Sequence, residues 1–399
     1  GGLVCRPDVS PFAKALQAAQ FTLVVPNEAC SVYTRIWYVY EAYLSHHLGK
    51  TILTATRSDW QSTLHVAAAT LSAASAFTCS LPLFRMACHT NFVSAHLQGV
   101  LVVGIAICLV STMELRQTFK VFIVNHVGGL LCGVFAASTW ARSSCGRGDH
   151  IFSCHPSQHT KTPPPSTVVF LLTALFFALR EADRLWASRA SREAAQLMRG
   201  YTGKLEDARA SVDEDRQRIL GEIAARGAAS EVERAIRVLF QAGMSTPSLR
   251  SASAHGADVS NAGRGSVAMW YFTTMSFFTN PLIALTTLHT CRGRLSWVIW
   301  VRIAQGIAWV VLSLKQDPDH KRFVASVGMI FATLPFCLLQ LLWLATSLFV
   351  GARVCEQECV PELTAALFAG PLVLLLAALG IDGCLKLPQG SALVSFIMR

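Results

Sequence analysis

The sequence predicts a mainly α-helical, polytopic membrane protein of roughly eight transmembrane helices in a 4+4 arrangement, preceded by a small truncated α/β segment. Three observations predict it. Hydrophobic residues make up 52% of the 399-residue chain and charged residues only 15%, against roughly a quarter charged in soluble domains. Mean hydropathy is +0.43. Windows of about 20 predominantly apolar residues recur along the chain, and one long polar stretch, 184–266, parts them into two equal groups.

A formal net charge of +10 does not point to nucleic acid, because no basic run interleaved with stacking aromatics occurs. Lys and Arg gather beside apolar segments, as charges that set membrane orientation do. The chain opens on Gly1-Gly2 without Met or a basic-then-apolar leader, and so reads as a fragment, a processed chain or one with a missing start. None of Asn27, Asn91, Asn125, Asn261 and Asn280 begins an Asn-x-Ser/Thr acceptor, so glycosylation does not orient the chain.

The α/β segment is expected over residues 1–58. Ser10-Pro11 marks a helix start, with Ser as N-cap and Pro in the first turn. FTLVVP, 21–26, is a continuous apolar run rich in β-branched residues, which predicts a buried parallel strand. Thr34 can cap a helix with Ile36, Val39, Tyr40, Tyr43 and Leu44 on one face, ended by Gly49. TILTAT, 51–56, is a second strand. Helix, strand, helix, strand is half of a doubly wound unit.

Ser31, Trp37 and Glu41, between those strands, make the segment resemble the second half of a Toll/interleukin receptor (TIR) homology domain. The helix of that family carries a Trp-Cys-x-x-Glu signature; here Tyr38 stands where the Cys is expected. In NAD-cleaving members the signature's Glu acts on the nicotinamide ribose bond, so the resemblance gives Glu41 that role, with Trp37 on the same helix face. It also implies self-association. Read from the residues alone, Glu41 is a solvated helix acid and Trp37 a packing residue.

The apolar windows are 62–83, 97–113, 119–138, 167–183, 267–290, 295–314, 322–350 and 362–382. The first, rich in Ala, Ser and Thr, is the least apolar, and its insertion decides the parity of all that follow. With all of them spanning and the N-terminus cytosolic, ELRQTFK, ALREADRLWASRASR and KQDPDHKR fall on the cytosolic side, as a positive-inside bias requires. TCRGRLS dissents, placing Arg292 and Arg294 outside. Cys88, Cys145, Cys154, Cys291, Cys355 and Cys359 then lie in exterior loops, where Cys145 with Cys154 and Cys355 with Cys359 are local disulfide pairs or free thiols.

The loop CGRGDHIFSCHPSQH offers a metal set of Cys145, His150, Cys154 and either His155 or His159, although no standard zinc spacing is present and a disulfide would consume both thiolates. Inside the apolar windows, polar side chains are functional pointers because each needs a partner away from water. Arg302 either faces an internal cavity or lies at the headgroups of a helix that begins later. Asn125 and His126 form a second polar island. Gly129-x-x-x-Gly133 permits close helix contact, and Asn280-Pro281, Pro335 and Pro371 are expected kinks.

In 184–266, Ser211-Val-Asp-Glu214 and Ser230-Glu-Val-Glu233 read as capping boxes opening two helices. The first shows Val212, Ile219, Leu220 and Ile223; the second shows Val232, Ala235, Ile236, Leu239 and Phe240, with Gly243 past its end. They are expected to pair as a hairpin with a further protein partner, because two short helices bury little. Residues 245–256 read as a flexible connector with exposed hydroxyls open to phosphorylation. The domains expected are thus 1–58, a first bundle over 62–183, the hydrophilic region 184–266, and a second bundle over 267–399.

No Gly-rich phosphate loop, Gly-x-Ser-x-Gly, His-Glu-x-x-His, EF-hand or dinucleotide fingerprint occurs, so no cofactor is indicated. No selectivity-filter run or Arg ladder occurs either. The expected partners are the lipid bilayer and a protein bound by 184–266, with no nucleic acid. Three functions fit: interaction or signalling through the cytosolic segments, a solute transporter or channel, and NAD cleavage through Glu41.

Overall fold

The structure, a computed structural model, describes residues 10–27, 30–55, 61–88, 95–114, 118–144, 165–263, 267–287, 296–314, 317–335, 338 and 368–398. It is mainly helical with one small sheet. Cys145, His150, Cys154, His155, His159, Cys291, Arg292, Arg294, Cys355 and Cys359 lie outside the described residues.

The N-terminal segment folds together with the central polar region. Helix α1 (Pro11–Ala18) is capped by the Ser10 hydroxyl, which accepts from the Ala13 amide at 3.1 Å. Strand β1 (Phe21–Val24) leads through a 3₁₀ turn, Val32–Thr34, into α2 (Ile36–His47) and back to β2 (Thr51–Thr54), parallel to β1 with Phe21 opposite Thr51. Ile36, Val39, Tyr40, Tyr43 and Leu44 are all buried, as their helical spacing predicts. Gly49 follows in the left-handed region at φ 64°, a conformation open to glycine and costly for other residues.

The sheet is completed from far along the chain. Strand β3 (Met244–Ser245) pairs antiparallel with β2, giving the order β1-β2-β3. Helices α7 (Asp213–Ala225) and α8 (Ala229–Ala242) both pack on α2, and their Ile219, Ile223, Val232, Ile236, Leu239 and Phe240 share one core with Ile36, Val39 and Tyr43. The apolar stripes of the central region are therefore covered by this chain's own N-terminal segment. Backbone bonds join the two as well: the Ser31 amide donates to the Arg199 carbonyl at 2.8 Å and the Arg209 amide to Thr34 at 2.7 Å.

Several local expectations are corrected. The N-cap of α7 is Val212 and that of α8 is Ala228, neither using a side chain, so Ser211 and Ser230 are not caps. Three acids, Asp213, Glu214 and Asp215, instead meet the positive end of α7, and Glu233 accepts from the distant Leu205 amide at 3.2 Å. Arg35, not Thr34, precedes α2, because the Thr34 hydroxyl turns back to the Ser31 carbonyl. β1 is an edge strand, not a buried one. The expected connector 245–256 holds β3 and α9 (Pro247–Ala254), with Leu249 and Ala252 buried and Thr246 enclosed, so that hydroxyl is not open to modification in this state.

The first bundle comprises α3 (Gln61–Cys88), α4 (Ala95–Glu114), α5 (Thr118–Ser144) and α6 (Pro165–Met198). The second comprises α10 (Val267–Thr287), α11 (Ser296–Ser313), α12 (Pro318–Gly328) running into a π turn at Met329–Thr333, α13 (Gly370–Leu385) and α14 (Gly390–Met398). Gly129 and Gly133 bring α5 against α3: a Cβ on Gly133 would lie 2.4 Å from the Ala73 carbonyl oxygen. A break in α13 falls at Gly380 (φ 64°, ψ −167°), and Pro371 sits in its first turn, directly after a π-helical stretch at 368–369.

Where the sequence predicts roughly eight spans, the described residues contain 2 helices long and apolar enough to cross a membrane, Thr63–Ala87 and Phe119–Ser144. Leu97–Ser111, Trp300–Ser313 and Gly370–Leu385 are shorter apolar helices. Two other windows run into residues outside the described set, and the α6 helix is apolar over only its first half. The least apolar window is one of the two that qualify. Four of its hydroxyls bond within the helix, Thr70 to the Val66 carbonyl, Ser72 to that of Ala69, Ser75 to that of Ser72 and Thr78 to that of Ser75. Such back-bonding lowers the cost of placing a Ser/Thr-rich helix in an apolar medium.

Candidate functional site

A polar concavity lies where the α/β unit meets the second bundle. The left-handed Gly49 turns the chain so that the Lys50 ammonium donates to the Gln17 carbonyl at 2.7 Å and to that of Ala19, closing the C-terminal end of α1. Across from it, Thr246 does two things with one oxygen: it caps α9 by accepting from the Leu249 amide at 3.1 Å and donates to Asp319 Oδ2 at 2.6 Å. The other Asp319 oxygen accepts from the His320 amide at 2.9 Å. A cleft of about 420 Å³ opens here, lined by Gln20, Lys50, Thr51, Thr246, Asp317 and Asp319 among others.

Two further contacts brace this junction. Buried Arg250 donates to the Ser245 carbonyl at 2.9 Å and the Lys50 carbonyl at 3.2 Å, and its loss of water lowers its pKa to about 10, leaving it charged at neutral pH. Ser248 donates to Asp382 of α13 at 2.9 Å. Among the described residues, no cluster of His, Cys, Asp and Glu has the geometry to hold a metal ion.

Burial raises the Asp319 carboxyl above the usual Asp range, against the opposing pull of its bonds from Thr246 and His320. A carboxyl whose folded pKa exceeds its unfolded value contributes stability fully present below the unfolded pKa and lost as pH rises through the folded one. The junction is therefore expected to tighten on acidification. Asp319→Asn, which keeps an acceptor for Thr246 but does not titrate, should abolish that trend in the hydrogen exchange of the Leu249 amide; an unchanged pH profile would assign the trend to another group.

The bundles carry a second set of buried polar groups. Glu181 is fully buried on α6; Asn125 Nδ2 of α5 donates to its Oε2 at 3.1 Å, and Arg184 grips both oxygens, Nε at 2.9 Å and NH2 at 2.5 Å. Arg184 also lies over the Phe122 ring, 5.4 Å from its centroid. His126 takes no part: its Nδ1 lies 3.0 Å from the Phe122 carbonyl oxygen. Two residues on, Asp183 accepts from the Val267 and Ala268 amides at 3.2 and 3.1 Å, so a side chain of the first bundle caps the first helix of the second. Glu181 and Asp183 read as linker acids in the sequence; the Glu181-x-x-Arg184 pair at helical spacing was the available signal.

Arg302 is 1% exposed, enclosed within the second bundle. Its guanidinium lies 4.7 Å from the centroid of Phe277, 3.4 Å from Gln305 Oε1 and 3.5 Å from the Ser276 carbonyl. Gly370 of α13 lets Gln305 stand there, since a Cβ on it would lie 2.2 Å from Gln305 Oε1. Arg302 and Asn125 thus occupy separate bundles and do not form one site.

Trp37 and Glu41 are both on α2. Trp37 is partly buried and meets Tyr40 edge-on with ring centroids 6.2 Å apart, a packing role. Glu41 is half-buried, and loss of water raises its carboxyl pKa. Among the described residues no hydrogen bond or ion pair engages its carboxylate. Burial, and then the nearby Glu41, raise the Tyr33 phenol pKa.

Comparison with known proteins gives no match: no protein-family model, no curated protein and no solved structure resembles this chain significantly.

Proposed function

We propose that this chain is a multi-pass integral membrane protein that signals or interacts through a cytosolic α/β unit mechanically tied to both of its helical bundles. What supports immersion in a bilayer is an inside-out distribution of side chains. Leu71, Leu83, Phe119, Ile107, Trp300 and Val311 are each more than 60% exposed on long apolar helices, while Gln98, Asn125, Glu181, Arg302 and Gln305 are buried between them. In water that arrangement exposes the wrong surface; in hydrocarbon it is the stable one.

The fold of the α/β unit supports a topology. Its two parts, 10–55 and 199–263, share a sheet and a core and so lie on one side of the membrane. The chain between them must cross an even number of times, and α3 to α6, all spanning, meet that requirement. The positive-inside bias of the linkers puts this side in the cytosol.

The observation that carries the signalling reading is α6. It runs unbroken over 34 residues, about 51 Å at the helical rise, from the first bundle to Leu197 in the core of the α/β unit. Asp183 on the same rod holds α10, and Thr246 holds α12 through Asp319. Displacement of one bundle is thereby passed to the other and to the sheet. Replacing Thr246 by Val should raise hydrogen exchange in both α9 and the start of α12 in nanodisc-embedded protein; a response confined to α9 would refute the coupling.

Solute transport is the second reading, favoured by the Arg302, Gln305 and Ser276 cluster inside the second bundle. A flux into proteoliposomes that falls when Arg302 is replaced by Ala would support it over pure signalling.

A further inference from the structure

The sheet has two faces, and they meet different surroundings. Val24 and Ile52 point into the core beneath α2. Leu53 points the other way, onto the cluster formed by Leu249 of α9, Phe323 and Val324 of α12 and Val373 of α13. Leu23 is the register partner of Leu53, and side chains of paired residues on neighbouring strands stand on the same face about 4.8 Å apart. The period of two puts Phe21 and Val25 on that face also. Where Leu53 is covered by the bundle, this neighbouring row is not: Phe21 is 50%, Leu23 54% and Val25 64% exposed.

β1 is the edge strand of the sheet among the described residues, and no charged residue interrupts 21–25. The row overhangs the bundle on the side of the sheet that docks to it. The bundle on which this face of the sheet docks is itself apolar outside: Leu372, Leu375 and Leu379 of α13 are exposed. We infer that Phe21, Leu23 and Val25 are seated in the boundary between headgroups and acyl chains, making the α/β unit a lipid-contacting domain that rests on the leaflet beside the second bundle. Three side chains at the interfacial depth of a monotopic segment would hold the sheet at a fixed height and make it responsive to lipid packing. The inference rests on the bilayer reading proposed above.

The test is nitroxide accessibility in phosphatidylcholine nanodiscs, with the label introduced as a non-natural amino acid so that the native cysteines stay untouched. Labels at Leu23, at Leu71 on the outer face of α3 and at Glu214 on exposed α7 are compared for collision with oxygen, which partitions into lipid, and with a water-soluble nickel chelate. The expected oxygen-to-nickel ratio at position 23 is several times that at 214 and approaches that at 71. A water-like ratio at 23 with a lipid-like ratio at 71 overturns this inference alone. Low collision with both reagents at 23 overturns it in favour of a second protein surface. A water-like ratio at 71 overturns the bilayer reading itself.

Discussion

Replacing Glu181 by Ala is expected to be the most damaging single side-chain truncation in the first bundle. Glu181 is fully buried, and its carboxylate is the common acceptor for Arg184 and Asn125. Removing it strands a guanidinium and an amide, and breaking a buried pair by deleting one partner costs roughly 3–5 kcal/mol. The lower end applies here, because Arg184 keeps 14% of its side-chain surface exposed. Glu181→Gln keeps an acceptor and should lose well under half as much. The readout is unfolding in mixed micelles followed by helical circular dichroism. Equal effects of Ala and Gln would mean that charge, not the loss of an acceptor, dominates.

Gly133→Leu is expected to pry α3 from the first bundle. Even the first carbon of the new side chain would sit 2.4 Å from the Ala73 carbonyl oxygen and 3.2 Å from Ala76 Cβ. The obstacle is backbone and cannot rotate away. Overpacking of a tight contact typically costs ~1–3 kcal/mol, and here the helix can escape because the α3 span is only 11% buried. Limited proteolysis of the chain between α3 and α4 should accelerate in the Leu variant. Gly129→Ala, whose Cβ would meet Ala73 Cβ at an ordinary 3.7 Å, should behave like the wild type and serves as the control.

The parts of the fold that were legible in the sequence are those whose signal is local. The buried stripe of α2, that of α8 and the glycines ending both follow from helical periodicity and from the left-handed conformation at Gly49 and Gly243. Gly129-x-x-x-Gly133 likewise marked a close contact, and the structure supplies its partner in Ala73. What was illegible depends on which distant segment arrives. FTLVVP reads as a buried strand because its apolar run does not alternate, yet at a sheet edge only one of its faces is covered. Ser211 and Ser230 have the spacing of caps, but the chain places Ala228 and Val212 at the helix starts and sends Glu233 to Leu205. Residues 245–256 look like a linker because their polar groups are satisfied by Asp319 and Asp382, residues more than a hundred positions away in the latter case. Glu181 carries only its helical spacing to Arg184 as a mark in sequence, since its other partner, Asn125, comes from another helix.

The central claim is that the chain crosses the membrane an even number of times between the two parts of the α/β unit, with α3 as the first crossing. Because the sequence holds no native glycosylation acceptor, a spacer bearing one acceptor can be inserted singly and read without background in microsomes. Inserted within 89–94, it should be glycosylated, and inserted at Gly203, beside the α/β core, it should not. An unmodified spacer at 89–94, with a modified one at 115–117, would mean that α3 does not cross and would contradict the account.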